Sequence, residues 1–174
     1  YGPTVKDGFY YDIELKSYAI SIEDLPLIEA EMAKIIAADS PFERIELTRA
    51  DALKRIQPES NRFKEDNINR ATGDIISFYR QGSFEDLCRG PHLPSTGKLT
   101  AFKLMTVSGS YWKGDVTGPV LQRIYGTAWQ DPKALKQYID RLEEAKRRDH
   151  RLIGKQLDLF HIQDEAPGEV FWHP

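Results

Sequence analysis

A short segment of the chain concentrates side chains that can do chemistry. Positions 84–92 read Phe-Glu-Asp-Leu-Cys-Arg-Gly-Pro-His, which brings Asp86, Cys88 and His92 close together in sequence. A thiolate can act as a nucleophile or a metal ligand, and an imidazole can transfer protons near neutral pH. Because Gly90-Pro91 can bend the backbone, the Cys-x-x-x-His spacing can direct both side chains at one metal ion or one substrate carbonyl.

The number of available ligands limits a metal site. Structural zinc usually takes four protein ligands and catalytic zinc takes three plus water, whereas the chain has one cysteine and four histidines. Three of those histidines follow position 131, so Cys88 and His92 are the two candidate ligands in the loop. A lone cysteine and histidine in a loop are structural more often than catalytic, and the residues by themselves leave both interpretations open. One cysteine cannot form an intrachain disulfide.

The composition is that of a globular protein. The 174 residues are 40% hydrophobic and 29% charged, and no apolar run approaches the roughly 20 residues that cross a bilayer. No basic, apolar and small-residue signal segment opens the chain, so we expect a cytoplasmic protein with no membrane partner.

The net charge of −3 argues against nucleic-acid binding by bulk electrostatics, which needs many displaced counterions. Any RNA contact should therefore be local. One basic cluster near the end could provide it, although such a cluster can also be an ordinary solvated helix face. Its members are Lys146, Arg147, Arg148, His150, Arg151 and Lys155.

The elements that must hold these residues read as an α+β domain, an antiparallel sheet with helices packed on it, followed by one long helix. Asp24 is a candidate N-cap of an amphipathic helix, and Thr48 of a second helix that ends by Pro58. Between Gly and Pro breaks, β-prone runs alternate with these helices without a strict βαβ rhythm, which favours an antiparallel sheet. The predicted strands are 8–13, 18–22 (pairing with 8–13), 44–47, 75–80, 99–107 and 120–129.

The long helix is predicted from its start signals and its apolar stripe. Asp131 occupies the N-cap and Pro132 the first helical position, and Leu135, Ile139 and Leu142 recur on one side. The pattern predicts a helix to about position 157, weakened at Gly154, whose stripe packs on the preceding domain.

Several blocks of sequence match one known family in order. They are 8–12 (Gly-Phe-Tyr-Tyr-Asp), 86–92, 102–104 (Phe-Lys-Leu), 109–115 (Gly-Ser-Tyr-Trp-Lys-Gly-Asp), 121–129 (Leu-Gln-Arg-Ile-Tyr-Gly-Thr-Ala-Trp), 148–151 (Arg-Asp-His-Arg) and 165–168 (Glu-Ala-Pro-Gly). With them, essentially the entire chain resembles bacterial threonyl-tRNA synthetases. The resemblance implies an editing domain over 1–130, a linker helix over 131–160 and the start of the class II aminoacylation domain over 161–174.

In that family this region hydrolyses serine wrongly esterified to the threonine tRNA. The resemblance carries the editing residues onto Tyr11, Lys64, Asp86, Cys88 and His92. His92 could activate water, Lys64 could stabilise the oxyanion or hold the terminal ribose and phosphate, and Asp86 could hold the serine ammonium group. Tyr11 could bound the pocket or bond to the substrate hydroxyl, and Cys88 could be a pocket wall, a water-positioning group or a metal ligand. The basic residues implied in tRNA contact are Arg147, Arg148 and Arg151.

The sequence departs from the family pattern in one respect. The family pairs Cys-x-x-x-His with an upstream His-x-x-x-His, which does not occur here, so we expect the 174 residues alone to hydrolyse little or nothing. The parent would be an ATP-dependent threonine–tRNA ligase, a homodimer using ATP with magnesium and zinc in an aminoacylation domain that this sequence lacks. The alternative is a module that only binds the tRNA acceptor end or links domains.

Overall fold

The computed structural model describes residues 2–59 and 61–173, which form two compact units. The first ends at Gln130 and the second begins at Asp131. The first unit contains, in chain order, β1 (Thr4–Val5), β2 (Gly8–Ile13), α1 (Leu25–Ala37), β3 (Glu43–Thr48), α2 (Arg49–Ile56), α3 (Arg62–Arg70), β4 (Ile75–Gln81), β5 (Phe84–Leu87), β6 (Ala101–Tyr111) and β7 (Val120–Trp129). The second contains α4 (Pro132–Arg147), α5 (His150–Gln156), β8 (Phe160–His161) and β9 (Phe171–Trp172).

The predicted α+β class with antiparallel pairing is confirmed, and the strands of the first unit divide between two sheets. One sheet has the order β1-β2-β7-β6 and the other the order β3-β4-β5, with every pairing antiparallel. In the second unit, β8 pairs with β9. Among the described helices, none combines the length and hydrophobicity that a membrane crossing requires.

Each sheet of the first unit has its own apolar core. Helix α1 places Leu25 against Leu104 and Ile124 of the four-stranded sheet. Helices α2 and α3 cover the three-stranded sheet, where Ile68 and Phe78 are almost completely buried. The first unit is therefore two helix-on-sheet layers, and a site formed between them depends on how they are joined.

Helix starts follow the predicted caps. The Thr48 side chain accepts a hydrogen bond from the Asp51 N–H, and the Asp131 side chain accepts one from the Ala134 N–H. The residue Asp24 precedes α1 as expected, yet its carboxylate instead binds the Ser21 N–H at 2.7 Å.

Two sequence predictions about elements were wrong, and two elements that carry site residues were not predicted. The run 18–22 is not a strand, because Ser21 and Asp24 form a capping box that starts a short 3-10 turn at Ile22. The predicted single helix from 132 to about 157 is two helices, because Asp149 caps α5 by accepting the Arg151 N–H at 2.9 Å. Helix α3 and strand β5 were not predicted at all.

Candidate functional site

Strand β5 sets which side chains face the site. Leu87 pairs with Phe78 and packs against the core of the three-stranded sheet. Successive side chains of a strand point to opposite faces, so Asp86 lies on the other face, opposite Tyr79. The backbone of Cys88 continues this pairing, since its N–H donates to the Ser77 carbonyl at 3.1 Å.

The Asp86 carboxylate accepts hydrogen bonds from three parts of the first unit. The Tyr11 hydroxyl of β2 donates to Oδ2 at 3.0 Å. The Lys64 ammonium of α3 lies 3.0 Å from Oδ1, and the Leu87 N–H donates to the same oxygen at 2.7 Å. Asp86 therefore joins the four-stranded sheet, helix α3 and the three-stranded sheet at one point.

Helix α3 orients Lys64. The Asn61 side chain caps the helix by accepting the N–H groups of Phe63 and Lys64 at 3.1 and 3.2 Å. The Lys64 side chain is 19% exposed and that of Asp86 is 26% exposed, so the ion pair is shielded from water but still open to a ligand.

The Tyr11 hydroxyl stays protonated at neutral pH. Burial of the phenol, and then the neighbouring Asp86 carboxylate and its hydrogen bond, raise the pKa of Tyr11. The hydroxyl can thus donate a hydrogen bond over the whole physiological pH range.

Cys88 and His92 form the second group on this face. The His92 Nε2 lies 3.1 Å from the Cys88 Sγ, and the Gly90 N–H points at the same sulfur at 3.4 Å. The Ser77 hydroxyl fixes the cysteine backbone by donating to its carbonyl at 2.6 Å. The bend predicted at Gly90 is present, with φ at 69°.

Aromatic rings hold the His92 imidazole. It stacks on Tyr79 with centroids 3.9 Å apart and meets the edge of Phe42 at 4.8 Å. Burial lowers the pKa of His92, so the ring is neutral at pH 7 and can accept a proton.

The five predicted residues thus form two groups along one side of β5, one around Asp86 and one around Cys88. Sequence reasoning missed the residues that support them, namely Ser77, Tyr79 and Phe42. The alternation of β4 was the available signal, since Ile76 and Phe78 are buried and Ser77 and Tyr79 each follow one of them on the opposite face. Within the described residues, no group of three or more His, Cys, Asp or Glu side chains is placed to hold a metal ion.

The basic residues predicted for tRNA contact lie at the junction of α4 and α5. Arg147 and Arg148 both pair with Glu144, at 2.6 and 2.5 Å, and Arg151 pairs with Asp149 at 2.8 Å. Each arginine side chain remains about three-quarters exposed. These pairs are local, and surface pairs of this kind break at little cost when a phosphate competes.

A comparison with known protein families identifies the class of domain. Residues 76–125 match the family described as the threonyl and alanyl tRNA synthetase second additional domain. This region covers β4, β5, the loop with His92, and most of the β6–β7 hairpin.

Relatives that match almost the whole chain include several threonine–tRNA ligases. The chain is 53% identical over 174 residues to a threonine–tRNA ligase of Laribacter hongkongensis, and 52% identical to those of Methylococcus capsulatus and Legionella pneumophila. Each match covers 99% of this chain and 27% of the relative's length. The resemblance to threonyl-tRNA synthetase seen in the sequence motifs is therefore confirmed.

Proposed function

We propose that this chain supplies an editing site that hydrolyses seryl esters of the threonine tRNA within a cytoplasmic threonine–tRNA ligase. The observation that carries the proposal is the meeting of Tyr11 and Lys64 on the Asp86 carboxylate, on the same face of the sheet as the Cys88–His92 pair. Over the whole protein, we expect ATP-dependent attachment of threonine to its tRNA, in a homodimer that also uses magnesium and zinc.

The substrate explains why a separate site is needed. Serine lacks one methyl group of threonine, and a methyl group gives only about 1 to 3 kcal/mol of discrimination in a binding pocket. A second, smaller pocket can instead exclude threonine by its size and admit serine for hydrolysis.

The Asp86 group provides recognition. Its carboxylate is the natural partner for the serine ammonium group, because Lys64 already shows that a cation is stable there at 3.0 Å. An arriving ammonium group can displace Lys64, which would then be free to interact with the ester oxygen or with the terminal ribose and phosphate. Tyr11, a neutral hydrogen-bond donor to the same carboxylate, would bound the space that the serine occupies.

The Cys88–His92 pair provides the route for the proton. A water between the neutral imidazole and the ester carbonyl could lose its proton to His92 as it attacks the carbon. The bond between that carbon and the ribose oxygen then breaks, and the proton passes to the ribose oxygen. The stacked Tyr79 ring fixes the plane of the imidazole, and Cys88 forms a wall of the pocket next to it.

The test is hydrolysis of seryl-tRNA by a full-length ligase that contains this chain. Asp86→Asn and His92→Ala should each reduce seryl-tRNA hydrolysis by roughly 100-fold while threonylation is unchanged, because each removes a group that contacts the substrate. Glu85→Gln is the matched control: Glu85 is the neighbouring carboxylate on β5 and pairs with Arg55, at 2.5 Å. Equal losses in Glu85→Gln and Asp86→Asn would contradict the proposal.

Two further measurements concern the isolated 174 residues and the alternative of tRNA binding without hydrolysis. We expect the 174 residues alone to show little hydrolysis, because the family signature includes a His-x-x-x-His pair that this sequence does not contain. If the full-length enzyme binds seryl-tRNA through these residues but never hydrolyses it, the region is an acceptor-end binding module instead.

A further inference from the structure

The candidate site spans the two layers of the first unit. Tyr11 comes from the four-stranded sheet, whereas Lys64 and Asp86 belong to the layer built on the three-stranded sheet. The distances around Asp86 therefore depend on contacts that fix helix α3 against the four-stranded sheet.

One such set of contacts involves the motif at 109–115, which has no role in the proposed reaction. The Trp112 indole N–H donates to Asp66 Oδ2 at 3.1 Å, and the Lys113 ammonium donates to the same oxygen at 2.7 Å. The Trp112 ring also packs on Phe63, with centroids 4.7 Å apart. Trp112 and Lys113 follow β6, and Phe63 and Asp66 are on α3, so these contacts cross between the layers.

The two α3 residues that make these contacts lie on either side of Lys64 in the sequence. Phe63 immediately precedes it and Asp66 follows by two residues, in the first turns of the same helix. The hydrogen bond from Lys113, and less strongly the one from Trp112, lower the pKa of Asp66, so its carboxylate is charged at neutral pH. A second cross-layer ion pair joins Arg62, at the start of α3, to Glu14, just after β2.

We propose that Asp66 and Trp112 are positioning residues, which hold α3 so that Lys64 and Tyr11 meet on the Asp86 carboxylate. The contacts that support this role join the residues after β6 to helix α3. This role rests on the proposed hydrolysis, and it gives the Trp-Lys pair of the 109–115 motif a task in the site.

A double-mutant cycle with Lys64 tests the inference in the full-length ligase. Asp66→Ala should lower kcat for seryl-tRNA hydrolysis roughly tenfold with little change in KM, because a misplaced catalytic group loses rate rather than substrate affinity. Trp112→Phe keeps an aromatic side chain next to Phe63 but loses the N–H and the five-membered ring, and the Lys113 contact with Asp66 remains, so it should cost less. In a Lys64→Ala background both changes should alter kcat by less than about twofold, because the residue they act through is gone.

The matched control is Arg70→Ala. Arg70 pairs with the same Asp66 carboxylate at 2.7 Å, but from within α3, so removing it leaves the cross-layer contacts in place. It should leave kcat unchanged. Equal losses in the presence and absence of Lys64, or an Arg70→Ala loss as large as that of Asp66→Ala, would overturn the inference.

A structural readout separates this inference from the proposed function. If the unmodified enzyme does not hydrolyse seryl-tRNA, the proposed function fails, and the distance from Lys64 Nζ to Asp86 Oδ1 still tests the contacts. In crystals of Trp112→Phe and Asp66→Ala, it should increase from 3.0 Å to beyond about 3.5 Å in at least the Ala variant. An unchanged distance in both variants would refute the positioning role.

Discussion

The hydrogen bond between Tyr11 and Asp86 allows a quantitative prediction, because it joins residues 75 positions apart in two different sheets. Tyr11→Phe removes the hydroxyl and keeps the ring, and Asp86→Asn removes the charge and keeps the shape. A hydrogen bond to a charged group contributes about 1.5 to 3 kcal/mol. Tyr11 is 40% exposed, so solvent screening brings the expected coupling between the two residues down to about 1 kcal/mol.

The measurement is the free energy of unfolding in urea for the native chain, the two single variants and the double variant. Asp86→Asn should cost more than Tyr11→Phe, because it also weakens the ion pair with Lys64. Tyr18→Phe is the control: its hydroxyl donates to Asp24 at 2.7 Å, but within one exposed local segment, and its loss should leave the urea midpoint nearly unchanged. A coupling below about 0.3 kcal/mol between Tyr11 and Asp86 would refute the reasoning.

The same hydrogen bond predicts how stability depends on pH. The folded pKa of Tyr11 is raised above the ordinary value of 10.0, so folding favours the protonated phenol. Its contribution to stability is therefore fully present below pH 10 and decreases as the pH rises toward the folded pKa. Tyr11→Phe should flatten that alkaline decrease, and an unchanged alkaline limb would contradict the assignment.

Three further predictions concern other parts of the chain. As the pH is lowered, the rate of seryl-tRNA hydrolysis should fall with a midpoint below pH 6.5, because burial lowers the pKa of His92 and the base must be neutral. A midpoint above pH 6.5 would exclude His92 as that base. Gly90→Ala should lower the free energy of unfolding by about 2 kcal/mol, because φ is 69° and the added Cβ would lie 2.1 Å from the Tyr79 hydroxyl oxygen. The Tyr79 ring cannot move away without breaking its stack on His92. Urea unfolding followed by circular dichroism would measure the change, and a neutral effect would contradict this packing. Replacing the basic residues at the α4–α5 junction by Ala in the full-length enzyme should reduce the log-log salt slope of tRNA binding by about 0.7 to 0.9 per lost phosphate contact, and an unchanged slope would leave them as surface charges only. These residues are Arg147, Arg148 and Arg151.

Much of the fold was predictable because its signals are local. Caps such as Thr48 and Asp131 act within one helical turn, and the alternation of Ile76 and Phe78 reports one buried face of a strand. Helix α3 was missed because it has only two apolar residues, Phe63 and Ile68, among polar and charged ones, which is too few for a helical apolar stripe. Strand β5 was read as a loop because only its pairing with β4 makes it a strand.

The family resemblance predicted which residues belong to the site, whereas only the fold gives their geometry. Nothing local in the sequence relates Tyr11 to Asp86, because the contact requires two sheets to be brought together. The supporting ring of Tyr79 was equally hidden, since its role follows from stacking on His92 across a bend at Gly90. Residues that hold a site are thus harder to predict than residues that act in it.

The most direct test of the central claim is a crystal structure of the full-length ligase with a non-hydrolysable amide analogue of seryl-adenosine. The serine ammonium group should lie within about 3 Å of the Asp86 carboxylate, and the amide carbonyl should face His92. The threonyl analogue should be excluded from this position by its extra methyl group. A seryl analogue bound away from Asp86 and His92, or a threonyl analogue bound equally well in the same place, would contradict the account.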